Sequence, residues 1–377
     1  AVEKREDLIA QYISEEINTV FDIEAGPLVK FKLLKFEENE HVVLLTMHHI
    51  ISDGWSMGIF VKEFAHIYDA IVSNKKIDLS PVEWQYADFT KWQRSWFTGE
   101  VRQRQIDYWK QKLADITTLD IPADYDRPAL QTFAGKKEYF VFSKEVMHRV
   151  GELSEQTGAT PFMIYLAAVN VLFARYTGQD DIAIGTPIAN RVRRETENTF
   201  GFFVNTLVLR NSVEKNPTFL ELIERVKGTA LEAYDTQDMP FEMLVDELDV
   251  ERDLSRNPLF QVMFALQNEE LPEFRLPELE IKRFETDNCS AMFDFWISMR
   301  EFEDGIHTLC EYNTDLYKKS TVIRMMKHLE SILDILSKNP ELHVKEFRYM
   351  DSNEVKEILY QHNDTDTVFE DELFVHQ

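Results

Sequence analysis

The sequence predicts an α/β (α+β) protein with two cores, and three observations lead there. Helix-like and strand-like apolar periodicities alternate along the whole chain. An Asp- and Pro-rich stretch without clean periodicity, "LADITTLDIPADYDRPALQTF" at 113–133, separates two such patterns and reads as a connection between halves. The length of 377 residues, 44% hydrophobic and 12% aromatic, is enough for two cores of ordinary domain size.

The chain enters on a charged helical stretch, "AVEKREDLIAQ", which is no secretory signal peptide. Its first residue is Ala rather than Met, and the expectation is a piece of something longer. "VVLLTM" at 42–47 is an apolar run of strand length that ends in two histidines and a Ser-Asp-Gly turn. Phe60, Phe64, Ile67 and Ile71 then recur at helical spacing, so the histidines sit at a strand-turn-helix junction. After the connection, "EYFVFS" restarts the pattern as a strand and a helix follows from about Lys144. Thr160-Pro161 starts the next helix and Gly178 stops it. Further strands are expected from Asp181, Asn205, Leu259, Phe293 and Ile306, and helices after Asn216-Pro217, at Pro240 and near Thr321.

Charge and composition exclude several classes of function. Lys and Arg number 41 against 67 Asp and Glu, a net charge of −26, which disfavours nucleic acid and anionic membrane as partners and leaves small molecules or proteins. The most apolar helical stretch, "FMIYLAAVNVLFA" at 162–174, is too short to span a bilayer and contains Asn170, so it reads as a core helix. With only Cys289 and Cys310, the expectation is a reducing cytoplasm, with neither a disulfide framework nor a Cys-rich metal site.

The segment with chemistry in it is "TMHHIISDGWSM", 46–57. On a strand, neighbouring side chains face opposite ways, so at most one of His48 and His49 would look into a given cavity. Four readings compete. The plainest is two ordinary histidines near a strand end. A metal site would use His49 and Asp53, four apart, but Gly54 and the turn argue against a helix there and no third ligand is evident nearby. A Ser-His-Asp arrangement would use Ser52, but the chain has no G-x-S-x-G elbow. The fourth is acyl transfer without a covalent intermediate. One imidazole, whose ordinary pKa lies near operating pH, acts on the incoming nucleophile, Asp53 holds the turn by hydrogen bonds or an Arg pair, and Gly54 lets the backbone approach the substrate.

"MHHIISDGWSM" closely resembles the HHxxxDG motif of nonribosomal peptide synthetase condensation domains, in the chloramphenicol-acetyltransferase-like superfamily. "YADFTKWQR" (86–94) resembles the family's Y-x-D-[FY]-x-x-W-Q, and "GFFVNTLVLR" (201–210) its G-x-F-V-N-T-x-x-x-R. "TQDMPFE" (236–242) and "RDLSRNPLFQVMF" (252–264) resemble Q-D-x-P-F-E and R-D-x-S-R-N-P-L-F, in the family's order, and "EYNTDLY" (311–317) adds a further likeness. The resemblance implies two chloramphenicol-acetyltransferase-like halves in a V-shaped pseudo-dimer with a central channel. The halves would be 1–118, carrying the histidines, and 119–358, and 359–377 resembles the start of a linker to an adenylation domain.

What the resemblance implies for function is peptide-bond formation. The amine of an acceptor on a carrier domain attacks the thioester of a donor on another. Both are delivered on phosphopantetheine arms by upstream and downstream carrier domains, and the chain itself needs no bound cofactor or metal. His49 is then the catalytic residue, with His48, Asp53 and Gly54 in support. Trp55, Ser56, Asn205 and Arg256 are channel or structural residues. Trp92, Phe203 and Phe264 read as core packing, and Asn205 and Arg256 as partners of buried backbone or carboxylate groups. Trp55 and Ser56 follow Gly54 directly and both histidines are present, which looks most like domains joining an L-donor to an L-acceptor. A catalytically silent docking module, an epimerization-type domain and a free-standing acyltransferase are the alternatives. The family's two earliest motifs, S-x-A-Q-x-R and R-H-E-x-L-R, have no counterpart here. The first half is therefore expected to lack its leading strands and helix, and Asp53, whose Arg partner is expected there, to stand unpaired.

Overall fold

The computed structural model describes residues 2–250, 253–267, 276, 278–282 and 289–361. The adenylation-linker resemblance from 362 onward, and Arg252 of the "RDLSRNPLF" motif, lie outside them.

The first part of the chain runs α1 (Val2–Ile17), β1 (Val29–Glu37), β2 (Glu40–Met47), α2 (Gly54–Val72), α3 (Tyr86–Trp96) and α4 (Gly99–Lys112). β1 and β2 form an antiparallel hairpin in which Phe31 faces Leu45 and Leu33 faces Val43. β1 is not among the expected strands, although Val29-Lys30-Phe31-Lys32-Leu33 alternates with period two. α1 lies against the other face of the hairpin, where Val42 is buried and Glu16 accepts a hydrogen bond from the Thr46 hydroxyl at 3.1 Å and pairs with Lys32.

The second part holds a seven-stranded mixed sheet. Its strands are β3 (Ala134–Phe142), β4 (Asp181–Ile188), β5 (Asn205–Ser212), β6 (Val262–Leu266), β7 (Cys289–Ser290), β8 (Phe295–Phe302) and β9 (Gly305–Asn313), in the order β5-β4-β6-β8-β9-β3-β7. β6 runs parallel to β4 and β8, and the other neighbours are antiparallel. The helices are α5 (Lys144–Thr157), α6 (Pro161–Thr177), α7 (Phe219–Asp235), α8 (Phe241–Leu248), α9 (Lys319–Lys338) and α10 (Ser352–Lys356). β6 begins three residues later than expected, because Leu259 takes a left-handed φ of 69° that no strand tolerates.

α6 is the expected core helix. Every side chain from Met163 to Ala174 is buried, so it is apolar all round rather than on one stripe. Thr160 caps its first turn, Pro161 opens it, and Gly178 ends it with φ 71°. Asn170 offsets its burial in part by donating to the Leu166 carbonyl at 2.7 Å. Among the described residues no single helix is long and apolar enough to cross a membrane.

The connection 113–133 has neither helix nor strand, as its composition predicts, yet it is anchored along its length. Leu119 and Ile121 are buried, and the Leu119 and Asp120 amides donate to the side chains of Gln261 and Gln179. Arg127 forms a two-pronged pair with the buried Asp294 just ahead of β8. α4 precedes this connection but packs into the hydrophobic core shared with the seven-stranded sheet and its helices. Trp109 is 1% exposed and donates to the Thr236 carbonyl at 3.0 Å, while Arg102 and Lys110 both reach Glu247 of α8.

Removing one member of the Arg127–Asp294 pair leaves the other ion enclosed without its partner. Asp294→Ala is therefore expected to cost about 3 kcal/mol in urea unfolding, whereas Lys110→Ala at the more exposed pair stays within about 1 kcal/mol. Equal losses would show that the connection is not anchored by this pair.

Candidate active site

The geometry begins where β2 ends. Met47 is its last residue, and His48 continues the hairpin only through its amide, which donates to the Leu28 carbonyl at 2.9 Å. His48 then caps a short 3-10 turn, His49–Ile51, its Nδ1 accepting from the Ile50 N–H at 3.1 Å. That bond makes Nδ1 an acceptor. The His48 ring also packs edgewise on Phe21. His49 starts the turn, is exposed, and stands perpendicular to the Phe202 ring at 5.2 Å between centroids. Its imidazole makes no hydrogen bond with the described residues. The two rings thus serve different neighbours, but the cause is a turn and not the strand alternation expected from the sequence.

Asp53 closes the junction. It is 5% exposed and caps α2, with Oδ1 accepting from the Ser56 N–H at 2.8 Å and Oδ2 from the Phe203 N–H at 2.9 Å. The expectation that Asp53 stands unpaired is wrong: Arg191 Nη2 lies 3.2 Å from Oδ1, with both side chains almost wholly enclosed. The loop after β4 brings this guanidinium across. Arg191 also donates to the Ser56 hydroxyl at 3.0 Å and to the carbonyls of Thr196 and Thr199, with its planar face 4.1 Å from the Phe203 ring. Fixed carbonyls, a carboxylate and a hydroxyl meet both terminal nitrogens of the guanidinium, and a ring face covers its plane, where water cannot.

The neighbours of Asp53 complete the seam. Ser56, 0% exposed, donates to the Gly201 carbonyl at 2.8 Å and accepts from its N–H at 3.0 Å. Trp55 donates from Nε1 to the Glu197 carbonyl at 2.8 Å and lies beside Arg191. Tyr86, at the start of α3, donates to the Phe202 carbonyl at 2.7 Å. Burial, and then the charges of Asp53 and Glu242, push its phenol up, so it remains a neutral donor. Gly201 is required by close approach, since a Cβ there would lie 2.4 Å from the Tyr86 ring. Gly54 is different. It is exposed and no described residue lies within 4 Å of where its Cβ would be, so the space beside it is not filled by the described residues.

Among the described residues, no hydrogen bond or ring contact joins the remaining sequence candidates to His49. Asn205 clamps the turn before α8, donating to the Gln237 and Met239 carbonyls at 2.9 and 2.8 Å and accepting from the Phe241 N–H at 3.0 Å. Its amide nitrogen and oxygen are both engaged by backbone groups. Arg256 lies 3.6 Å from Asp253 and lines a separate groove with Thr118, Val250 and Leu254. Phe203 and Phe264 are buried packing residues, while Trp92 stacks on Trp96 with Arg193 over its ring. No group of three or more His, Cys, Asp or Glu among the described residues could hold a metal ion. The residues that sequence reasoning missed are Arg191 and Phe202. Arg191 stands in a run with Arg193 and Arg194, and nothing in the order of letters says which turns inward. Phe202 occupies the unspecified position of the G-x-F-V-N-T likeness.

Asp53→Ala and Arg191→Ala should each cost roughly 3–5 kcal/mol, because each leaves a buried ion without its counter-charge. The double variant is expected to lose less than the sum, with a coupling of about 1 kcal/mol or more in a denaturation cycle. Strict additivity would mean that the two ions do not support one another.

Comparison with known proteins accords with this geometry. The family model described as "Condensation domain" matches residues 1–359. The chain is 42% identical over 378 residues to one polypeptide of the linear gramicidin synthase of Brevibacillus parabrevis, covering 100% of this chain and 5% of that protein. It is 41% identical to tyrocidine synthase 3 of the same organism, covering 94% of this chain and 5% of that one. The chain therefore spans a small fraction of the length of these relatives. Among solved structures, the X-domain from teicoplanin biosynthesis superposes with a TM-score of 0.83 at 25% identity, over 91% of this chain and 79% of that one. A four-domain nonribosomal peptide synthetase bound to AMP and glycine gives 0.79 at 22% identity, over 93% of this chain and 27% of that one, a likeness of fold alone. With a family model matching nearly its whole length and relatives above 40% identity, this chain belongs to the condensation-domain family of the nonribosomal peptide synthetases.

Proposed function

We propose that the chain joins a donor acyl or peptidyl thioester to the amine of an acceptor, both carried on phosphopantetheine arms of partner carrier domains. The observation that carries this reading is His49. It is the second histidine of the motif, exposed, without a hydrogen bond to the described residues, and seated one short turn before the N-terminus of α2. A ring so placed is free to accept a proton from an incoming group. The Gly54 and Trp55 amides at the start of α2 donate to no described residue, and the positive end of a 19-residue helix suits a developing oxyanion.

In the proposed reaction the amine nitrogen attacks the thioester carbonyl, the C–N bond forms, and the C–S bond breaks. His49 takes a proton from the nitrogen as the tetrahedral intermediate forms, and the leaving sulfur takes one to become a free thiol. An α-amino group titrates near roughly 7.7–8.0, so an appreciable minority of it is already neutral at cellular pH and no strong base is needed. His49 positions the amine and receives its proton.

The wider assembly belongs to the same reading. We place the two halves, 1–118 and 119–358, as a V with the reaction channel between them, in a longer synthetase with carrier and adenylation domains, in a reducing cytoplasm. The chain works without a resident cofactor. The Gly54-Trp55-Ser56 sequence favours an L-donor and an L-acceptor, and retention of His49 favours an enzyme over a silent docking module.

His49→Ala should lower peptide-bond formation about 10²- to 10⁴-fold, followed by mass spectrometry on loaded carriers, with Tm near wild type. His48→Ala should lose its cap to Ile50, roughly 1 kcal/mol of stability, and keep more turnover than His49→Ala. Near-normal turnover in His49→Ala would end the catalytic reading. With carriers loaded in either configuration, the L-donor should react faster; preference for the D-donor would refute the subtype.

A further inference from the structure

An exposed imidazole with no hydrogen bond turns among its rotamers, and a proton acceptor that points the wrong way for most of the time contributes little. Among the described residues, the contact that restrains the His49 ring is Phe202, perpendicular to it at 87°. Phe202 is half-buried, and its own backbone is held more firmly than that of an ordinary loop residue. Tyr86 binds its carbonyl, Ser56 binds both polar groups of Gly201 before it, and Asp53 binds the N–H of Phe203 after it. Those bonds occupy three consecutive residues and originate in α2, its cap and α3, so the Phe202 ring is presented to His49 from a fixed platform.

We propose that Phe202 is a positioning residue for the condensation reaction, its ring setting the plane of the His49 imidazole, and that Tyr86 acts through it by fixing its carbonyl. The proposal rests on the reading of His49 as the imidazole that meets the reacting amine. It assigns to the 201–203 segment a second task besides the seam with α2, and it makes ring shape at position 202, rather than volume, the property that matters. A perpendicular aromatic contact biases a rotamer by about 2- to 10-fold, which sets the size of the effect expected on turnover.

The test uses the full chain with loaded carriers and the variants Phe202→Ala, Phe202→Leu, Phe202→Tyr and Tyr86→Phe. The readouts are kcat and KM measured separately, together with the NMR shifts of the His49 ring protons, assigned by their loss in His49→Ala. Phe202→Ala and Phe202→Leu should lower kcat about 2- to 10-fold at unchanged KM and move the His49 ring signals, as the ring current is lost. Phe202→Tyr should restore both. Tyr86→Phe should shift both in the same direction by less, and it reports even if Phe202→Ala fails to fold. Wild-type kcat in Phe202→Leu, or unmoved His49 signals in Phe202→Ala, overturns the proposal. If His49→Ala is inactive while Phe202→Ala keeps full kcat, only this proposal fails. If His49→Ala is itself active, the catalytic reading falls and takes the proposal with it.

Discussion

The buried pair between Asp53 and Arg191 is the constraint on which the site depends. It joins the cap of α2, which carries the histidine turn at its head, to a loop that follows β4 of the seven-stranded sheet. The two residues are 138 apart in sequence, so the pair is a long-range closure, and the other bonds of the seam lie beside it. Ser56 meets Gly201, Trp55 meets Glu197 and Tyr86 meets Phe202 along one line. His49 hangs from the end of that line, and its position is inherited rather than made by its own contacts.

A pair this deep is a poor way to gain stability alone. Taking two ions from water costs about as much as their attraction returns, and apolar residues of equal volume often do as well. What the pair supplies is direction. A guanidinium whose terminal nitrogens meet a carboxylate, a hydroxyl and two carbonyls, with a ring face over its plane, fits very few arrangements, so the α2 cap and the 190–204 loop meet in one register. An apolar contact of the same size would tolerate sliding, and sliding by an ångström at the cap would move His49 by as much.

The division of labour between the two histidines follows from the same local geometry. His48 commits its Nδ1 to the turn and its ring to Phe21, so it builds the platform. His49 commits nothing to hydrogen bonds within the described residues. A group with no internal obligations at the open end of a rigid seam is suited to a proton that arrives from outside, while its neighbours hold it there.

Much of the fold was legible because it is written in short-range patterns. The capped start and glycine stop of α6, the strands from Asp181, Asn205 and Ile306, and the irregular 113–133 connection each depend on a few neighbouring letters. β1 could have been read from its alternation, but the late start of β6 could not, because nothing in a leucine side chain announces the positive φ of Leu259. The histidine motif and its resemblance by themselves pointed to the Ser-Asp-Gly turn at 52–54 and to the family, but left the histidines on the strand, where the structure has a 3-10 turn. The tertiary structure alone decided that Asp53 is paired, that Arg191 and neither of its neighbouring arginines turns inward, that Asn205 is a clamp, and that Phe202 faces His49. The reason is physical: periodicity and capping act over a few residues, whereas the partner of a buried charge is set by which distant segments the closed fold brings within about 3 Å.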